Sequence, residues 1–447
     1  MANCSEFSPF TFSDFPEDVQ LCILSFLTPS DISSFACTSK RFVPLCRYDG
    51  GRVWYAMCDR RWGSKTQIRK WGDGKIGFRF LYKTLSEYEN LIGFWRRSGG
   101  VSGGVGIFGE APLVFFEWGE SCVMGSRILP SKDGSYNVIK SPFIRLSLSG
   151  DGQALNYLKN NTQDNEKESV LGSGSGSGLD LVQVDVSFMG KGHVVLEESN
   201  LNWGNSGGSP NGNVNKNFDN VVVGSPEVEI GSPPDRMMSE MYQYFANRRS
   251  PGAGGERAWR RQRRREKERQ SRRKWEPEHL VKIVNCSPSP SRPLQGLWKG
   301  LCKDTSLDFY LVAYDDIGGV ACRRVGDSLK PLSGYAPVFW TSNATFIDSP
   351  LSHEEDYVYN TRMHLGPTGE IEDDIIEYSP SRIMYINSSY DLVIPDLTGT
   401  SANPRHVEGR VWQYVDGTFG FGVLRNNFIV DLKHIAQDDY LLDAAEL

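Results

Sequence analysis

Residues suited to chemistry are thinly spread along this chain of 447 residues. The densest carboxylates are Glu370–Glu377, which reads EIEDDIIE, and the run His353-Glu354-Glu355-Asp356. Such groups could gather a divalent cation or pair an acid with a base. Neither has a second, convergent set of ligands in the sequence, and both read as solvated loops. The six histidines, at 193, 279, 353, 364, 406 and 434, are dispersed. No G-x-S-x-G, H-E-x-x-H or phosphate-loop pattern occurs, and the tract GSGSGSG (172–178) lacks the lysine that a phosphate loop needs. No catalytic residue, metal site or cofactor is expected. The chain reads as a protein that works by binding.

Cysteine usage sets the expected compartment. There are nine, at 4, 22, 37, 46, 58, 122, 286, 302 and 322, an odd number with no C-x-x-C pair. The start MANCSEFSPF has no basic segment followed by an apolar run, so no secretory signal is read. No apolar stretch approaches the roughly 20 residues of a membrane helix. A reduced, intracellular protein without a membrane partner is expected. The 39% hydrophobic content allows a real core, while 46 Gly and 23 Pro demand many turns and loops.

The elements that must present a binding surface fall into two classes. Residues 13–60 carry helical signals: Pro16 suits a first helical position, and Glu17 and Asp18 suit the positive end of the helix dipole. Val19, Ile23, Phe26 and Leu27 recur at helical spacing. Thr28-Pro29-Ser30-Asp31 reads as the capped start of a second helix, with Ile32, Phe35 and Ala36 on its apolar face. Phe42, Leu45 and Trp54 extend the pattern. About 45 residues cannot bury this much apolar surface alone, which implies a partner helix.

Beyond residue 90 the pattern turns to short strands cut by Gly, Pro and Asp-Gly turns. Examples are LIGFWRR (91–97), APLVFFEWG (111–119), PFIRLSLSG (142–150), LDFYLVAYDD (307–316) and FGFGVLRNNFIVDLKHI (419–435). Asp416-Gly417 marks a hairpin. An internal echo, Leu91-Ile92-Gly93-Phe94-Trp95-Arg96 against Leu294-Gln295-Gly296-Leu297-Trp298-Lys299, opens each run. Two halves of one antiparallel β-barrel are expected, each opened by a Trp that closes an end. The alternative for the echo is a chance match. The predicted fold class is α+β: an N-terminal helical module, then a large antiparallel β-barrel carrying a partly disordered insertion.

The stretch Phe15-Pro16-Glu17-Asp18-Val19, with Ile23-Leu24, Phe26-Leu27, Asp31-Ile32, Thr38-Ser39-Lys40-Arg41-Phe42 and Trp54, resembles the F-box. Phe15 stands where Leu is common and Phe42 where Trp is frequent, both keeping the apolar type. The resemblance implies docking on a Skp-family adaptor and, through it, on a cullin. It implies an adaptor-binding set of Phe15, Pro16, Val19, Ile23, Leu24, Leu27, Ile32, Phe35, Leu45 and Trp54. Leu294–Asp316 and Val411–Ile435 are similar to the F-box-only branch whose animal member receives D-type cyclins, and the composition suits a plant member. The function so implied is substrate recognition in an SCF-type ubiquitin ligase, with an unidentified protein substrate. The alternatives are a lipocalin-like carrier of a small ligand and an F-box nuclear scaffold outside the ligase.

The domains read as an F-box at 10–60, a helical linker at 61–90, a first barrel part at 91–150, an insertion at 151–290 and a second barrel part at 291–447. The insertion holds the run RAWRRQRRREKERQSRRK (257–274), with 11 basic residues against Glu266 and Glu268. Arg263, Arg264, Arg265, Arg272, Arg273 and Lys274 form two clusters that suit nuclear import. A solvated helix is the second reading and nucleic-acid contact the third. Only Trp259 and Trp275 lie near for base stacking, so nucleic acid is not an expected partner. The insertion also holds six Ser-Pro pairs, at Ser209, Ser225, Ser232, Ser250, Ser287 and Ser289, which suit proline-directed kinases or ordinary loop composition. Nucleus and cytoplasm are the expected locations.

Overall fold

The computed structural model describes residues 11–47, 52–98, 111–159, 181–199, 277–284, 286–303, 305–314, 319–325, 338–366, 379–389, 408–437 and 440–446. The Gly-Ser tract, the arginine-rich run with its six import residues, Ser209, Ser225, Ser232 and Ser250, and the acidic stretch 370–377 lie outside them.

Five helices come first: α1 (Glu17–Leu24), α2 (Pro29–Thr38), α3 (Val43–Arg47), α4 (Arg52–Trp62) and α5 (Phe78–Glu89). Strands β1 (Gly93–Ser98), β2 (Leu113–Trp118), β3 (Val123–Pro130), β4 (Val138–Leu148), β5 (Ala154–Lys159), β6 (Leu181–Phe188), β7 (His193–Glu198) and β8 (Glu278–Lys282) follow. Then come β9 (Gly296–Leu301), β10 (Leu307–Tyr314), β11 (Gly319–Val325), β12 (Val338–Asp348), helix α6 (His353–Asn360), β13 (Met363–Leu365) and β14 (Pro380–Ser389). The chain closes with β15 (Gly409–Tyr414), β16 (Phe419–Val423), β17 (Phe428–His434), β18 (Ala436–Gln437), β19 (Tyr440–Leu441) and β20 (Ala444–Glu446).

Packing divides the chain into two compact units. One holds Met1–Gly93, Phe115–Ser126 and Pro142–Leu181; the other holds Phe94–Val114, Arg127–Ser141 and Val182–Leu447. In the first, the start of α2 follows the capping signal in its sequence. Thr28 Oγ1 accepts the Asp31 N–H, the Asp31 carboxylate accepts the Thr28 N–H, and Pro29 takes the first helical position. The helices share one core of Leu21, Leu24, Ile32, Cys46, Val53, Trp54 and Met57, with Leu27, Phe35, Leu45, Phe78 and Tyr82 packed on it. Phe78 and Tyr82 belong to α5, so the linker helix completes the core that the first four helices cannot close alone. The hairpin β4–β5, registered from Ile144↔Leu158 to Leu148↔Ala154, lies in the same unit.

In the second unit, β9, β10, β11, β12, β14, β15, β16 and β17 follow one another antiparallel, and β17 returns to pair with β9 through Leu432↔Gly300 and His434↔Trp298. This is a closed eight-stranded barrel, with β13 added parallel on β17. The inward side chains alternate as strand geometry requires: Tyr310 and Val312, Val320 and Cys322, Met384 and Ile386, Phe419 and Phe421, Val430 and Leu432, around Trp298. The residues between them point outward. Ile383, Trp412, Tyr414 and Ile429 form a second cluster that Tyr359 and Val358 of α6 cover. Asp416-Gly417 makes the hairpin turn between β15 and β16. Gly417 sits at φ 88°, and the Asp416 carboxylate accepts the Thr418 N–H at 2.9 Å.

Two expectations meet a different arrangement. Residues 296–434 close a barrel by themselves, while β1 pairs with β8 at Trp95↔Lys282. The echo therefore opens two separate strand systems rather than two halves of one. In each copy the Gly has positive φ, 111° at Gly93 and 146° at Gly296, and the Trp is fully buried. The cluster His353–Asp356, read as a solvated loop, is the first turn of α6. Ser352 caps that helix, and buried Glu355 takes three hydrogen bonds from the Arg410 guanidinium.

Candidate functional site

The helical module presents its apolar excess on one edge of α1. Residues 20, 21 and 24 turn inward, so the helical period places 16, 19 and 23 outside. Leu21 and Leu24 are core, and buried Gln20 donates from Nε2 to the carbonyls of Phe12 and Phe15, at 3.2 and 2.7 Å. Those bonds anchor the chain that enters the helix. Just before it, the Asp14 carboxylate accepts the backbone N–H and the hydroxyl of Thr11, at 2.8 and 2.9 Å. These bonds hold the Asp14 pKa below the ordinary carboxylate value. The entry segment is thus fixed by local hydrogen bonds, and Pro16 is set at the helix start.

What this scaffold displays is an apolar stripe. Phe15 is 37% exposed, Ile23 41% and Phe26 65%; Pro16 is exposed and Val19 is half-buried. Phe26 falls three residues after Ile23 and continues the stripe past the end of α1. The Arg60 guanidinium lies 4.4 Å from its ring centroid and holds the ring at the surface. Ionisable groups at the core side are silenced by burial: the Cys46 thiol is pushed up, and the Cys58 thiol to about 12. The site therefore offers shape and apolar area rather than reactivity.

The residues named from sequence as adaptor-binding divide into three groups. Phe15, Pro16, Val19 and Ile23 stand together on the outer stripe. Leu27, Phe35 and Leu45 are half-buried against the helical core. Leu24, Ile32 and Trp54 lie within that core, at 1%, 1% and 4% exposure. The Trp54 indole N–H donates to the Cys46 carbonyl at 2.9 Å, so this side chain braces α4 against α3. The last three build the surface and do not form it. Phe26 is absent from the set although its spacing from Ile23 was visible; a motif that prizes paired apolar positions does not say which member points out. Among the described residues no cluster of three or more His, Cys, Asp or Glu is placed to hold a metal ion.

Comparison with known proteins agrees with this geometry. The F-box domain model matches residues 12–49. An F-box protein of Arabidopsis thaliana is 47% identical over 436 residues, which span 96% of this chain and 96% of that protein. An F-box generally binds a Skp-family adaptor and thereby a cullin, and so serves substrate recognition in SCF-type ligases. This chain belongs to the F-box protein family.

Proposed function

We propose that the chain is the non-catalytic substrate receptor of an SCF-type cullin ubiquitin ligase, directing a protein target to ubiquitination and degradation. The observation that carries this is the exposed stripe Phe15, Pro16, Val19, Ile23 and Phe26 on a rigid helical module. A few apolar anchors of this kind supply most of the energy of a helix-on-helix interface. The barrel supplies the second requirement, a stable body on which a target can be held. Tethering target and charged ubiquitin in one assembly raises the local concentration of target lysines, which is the whole of the chemistry asked of a receptor.

The filled barrel supports a protein target over a small-ligand carrier, since Trp298, Tyr310, Phe419 and Phe421 occupy its interior. A nuclear scaffold outside the ligase would bind the adaptor without recruiting a cullin. The finer kinship, with the branch whose animal member receives D-type cyclins, rests on the G-L-W-K-G stretch of β9 and the Asp-Gly hairpin. The bounds of the F-box, the helical linker and the insertion, and action in nucleus and cytoplasm, belong to the same reading.

Capture of adaptor and cullin by the full chain tests it, with wild type set against Val19→Asp, Ile23→Asp. Both side chains lie on the stripe, so the double variant keeps its thermal midpoint within a few degrees. Wild type is expected to retain both partners, and the variant to lose adaptor by tenfold or more. A wild-type chain that captures adaptor without cullin supports the scaffold instead. One that captures neither sinks the receptor.

A further inference from the structure

A second surface of the helical module has a different character from the stripe. A hollow of about 620 Å³ lies between the start of α2, Trp54 of α4 and the outer face of α5. A second, of about 450 Å³, lies beside it between Phe26, Met57 and Arg60. Pro29 and Tyr82 line both, so the two form one open groove. The amphipathic α5 accounts for its shape. Leu81, Leu85 and Tyr88 are buried, which turns Arg79, Phe80, Lys83 and Glu87 outward. Phe80 is 45% exposed and stands at one end, with Phe26 at the other.

The charges in the groove are unbalanced. Arg61 is neutralised by Glu89 and also donates to the Tyr82 hydroxyl at 3.1 Å. Among the described residues Arg60, Arg79 and Lys83 have no carboxylate within ion-pair distance. The carboxylate of Glu87 is the one opposing charge in the lining that lacks a cation. This local positive excess stands on a chain of net charge -6. The guanidinium carbons of Arg60 and Arg79 lie 4.4 and 5.6 Å from the ring centroids of Phe26 and Trp54. Those rings hold the cations in place and leave Trp54, at 4% exposure, no free face for a nucleic-acid base. Pro29, Leu27 and Met57 between them offer an apolar floor suited to aliphatic or aromatic side chains.

We propose that this groove binds an acidic peptide segment bearing one or two large apolar anchors, contributed by a protein other than the adaptor. The cations meet the carboxylates, and the floor between Phe26 and Phe80 takes the anchors. Affinity is then strongly salt-dependent, because all three cations are exposed. The groove shares the Phe26 ring with the stripe at one end, but its three cations lie on α4 and α5 whereas the stripe is centred on α1.

Fluorescence anisotropy with the full chain tests this. The probe is a fluorescein-labelled peptide, EEDELFEELDEE; the comparison probes are KKRKLFKKLRKK, EEDEGGEEGDEE and a labelled 20-mer of poly-uridine. The acidic anchored peptide is expected to bind, at least tenfold more tightly than the other three. Raising NaCl from about 50 to 300 mM should weaken it several-fold. Arg79→Glu, Lys83→Glu should weaken it tenfold or more with an unchanged thermal midpoint, while Val19→Asp, Ile23→Asp should leave it as in wild type. Undiminished binding by the charge-reversed chain overturns the proposal. So does tighter binding of the RNA or the basic peptide, or loss of the probe when adaptor is already bound. Failure here leaves adaptor capture intact, so the two readings fail separately.

Discussion

His193, buried, and His279, half-buried, show how a single pair can set a pH limit on the fold. They lie on neighbouring strands β7 and β8, with His193 Nε2 2.9 Å from His279 Nδ1. One ring donates its N–H to the other's lone pair, so a proton on both would set two donors against each other. Burial first, then the nearby His279, lowers the His193 pKa to about 4; burial also lowers that of His279, against the pull of Glu197. The unfolded chain takes up a proton near 6.5 that the folded chain refuses until about 4. The pair's contribution is therefore complete above pH 6.5 and is lost as pH falls toward 4. Between pH 7 and pH 5 the folded state should lose on the order of 2 kcal/mol from this source. Urea titrations at both pH values check it. The drop in wild type should exceed that in His193→Gln by about that amount, and equal drops would remove the pair from the account.

At the scale of elements, the C-terminal strand is held by one lysine. Lys299 of β9 is fully buried, and its ammonium donates to Asp443 Oδ2 at 2.7 Å and to the Leu442 carbonyl at 3.0 Å. Burial lowers its pKa, and the Asp443 bond opposes that shift. Next to this anchor β20 adds parallel to β4 through Ala444↔Val138, and the Val138 N–H donates to the Asp443 carbonyl at 2.9 Å. Asp443→Ala leaves a buried cation short of its counter-charge; because the carboxylate is itself 52% exposed and Lys299 keeps the Leu442 carbonyl, the loss should be about 1–2 kcal/mol. Adding Lys299→Met removes the cation and should return most of that loss. A double variant as unstable as the single in urea would show that the strap, not the charge, is what matters.

Local elements were legible where local chemistry sets them. The Thr28–Asp31 cap and the Asp416-Gly417 turn depend on neighbours in sequence, and each stands where those residues put it; Pro16, expected at the first helical position, instead sits one residue before it, as the extended N-cap of a helix that begins at Glu17. Closure of β17 on β9 depends on pairing residues 132 apart, Gly300 with Leu432, and no local pattern announces it. Nor could periodicity separate Ile23 from Leu24: adjacent apolar residues satisfy the same motif, and the core formed with α4 and α5 decides which is inside. The burial of Glu355, in a run that reads as a solvated loop, is hidden from the sequence for a related reason. Its partner Arg410 lies 55 residues away, and only the covered outer face of the barrel makes a buried carboxylate worth keeping.

For the molecule as a whole, the proposal separates grip from cargo. In the proposed receptor the outer stripe is the adaptor's seat, and nothing in it belongs to the barrel's own core, whose buried cluster runs from Leu294 to Leu432. A chain carrying Val19→Asp, Ile23→Asp should therefore fold, keep its target and lose the ligase. In cells, such a variant in excess should shield the target from the endogenous receptor. Proximity labelling should recover the proteins common to wild type and variant, minus adaptor and cullin. The true target is the shared protein whose half-life lengthens several-fold when the variant is expressed and shortens when wild type is. If the shared proteins keep their half-lives under both chains, binding is not coupled to degradation, and the scaffold becomes the better account of the F-box.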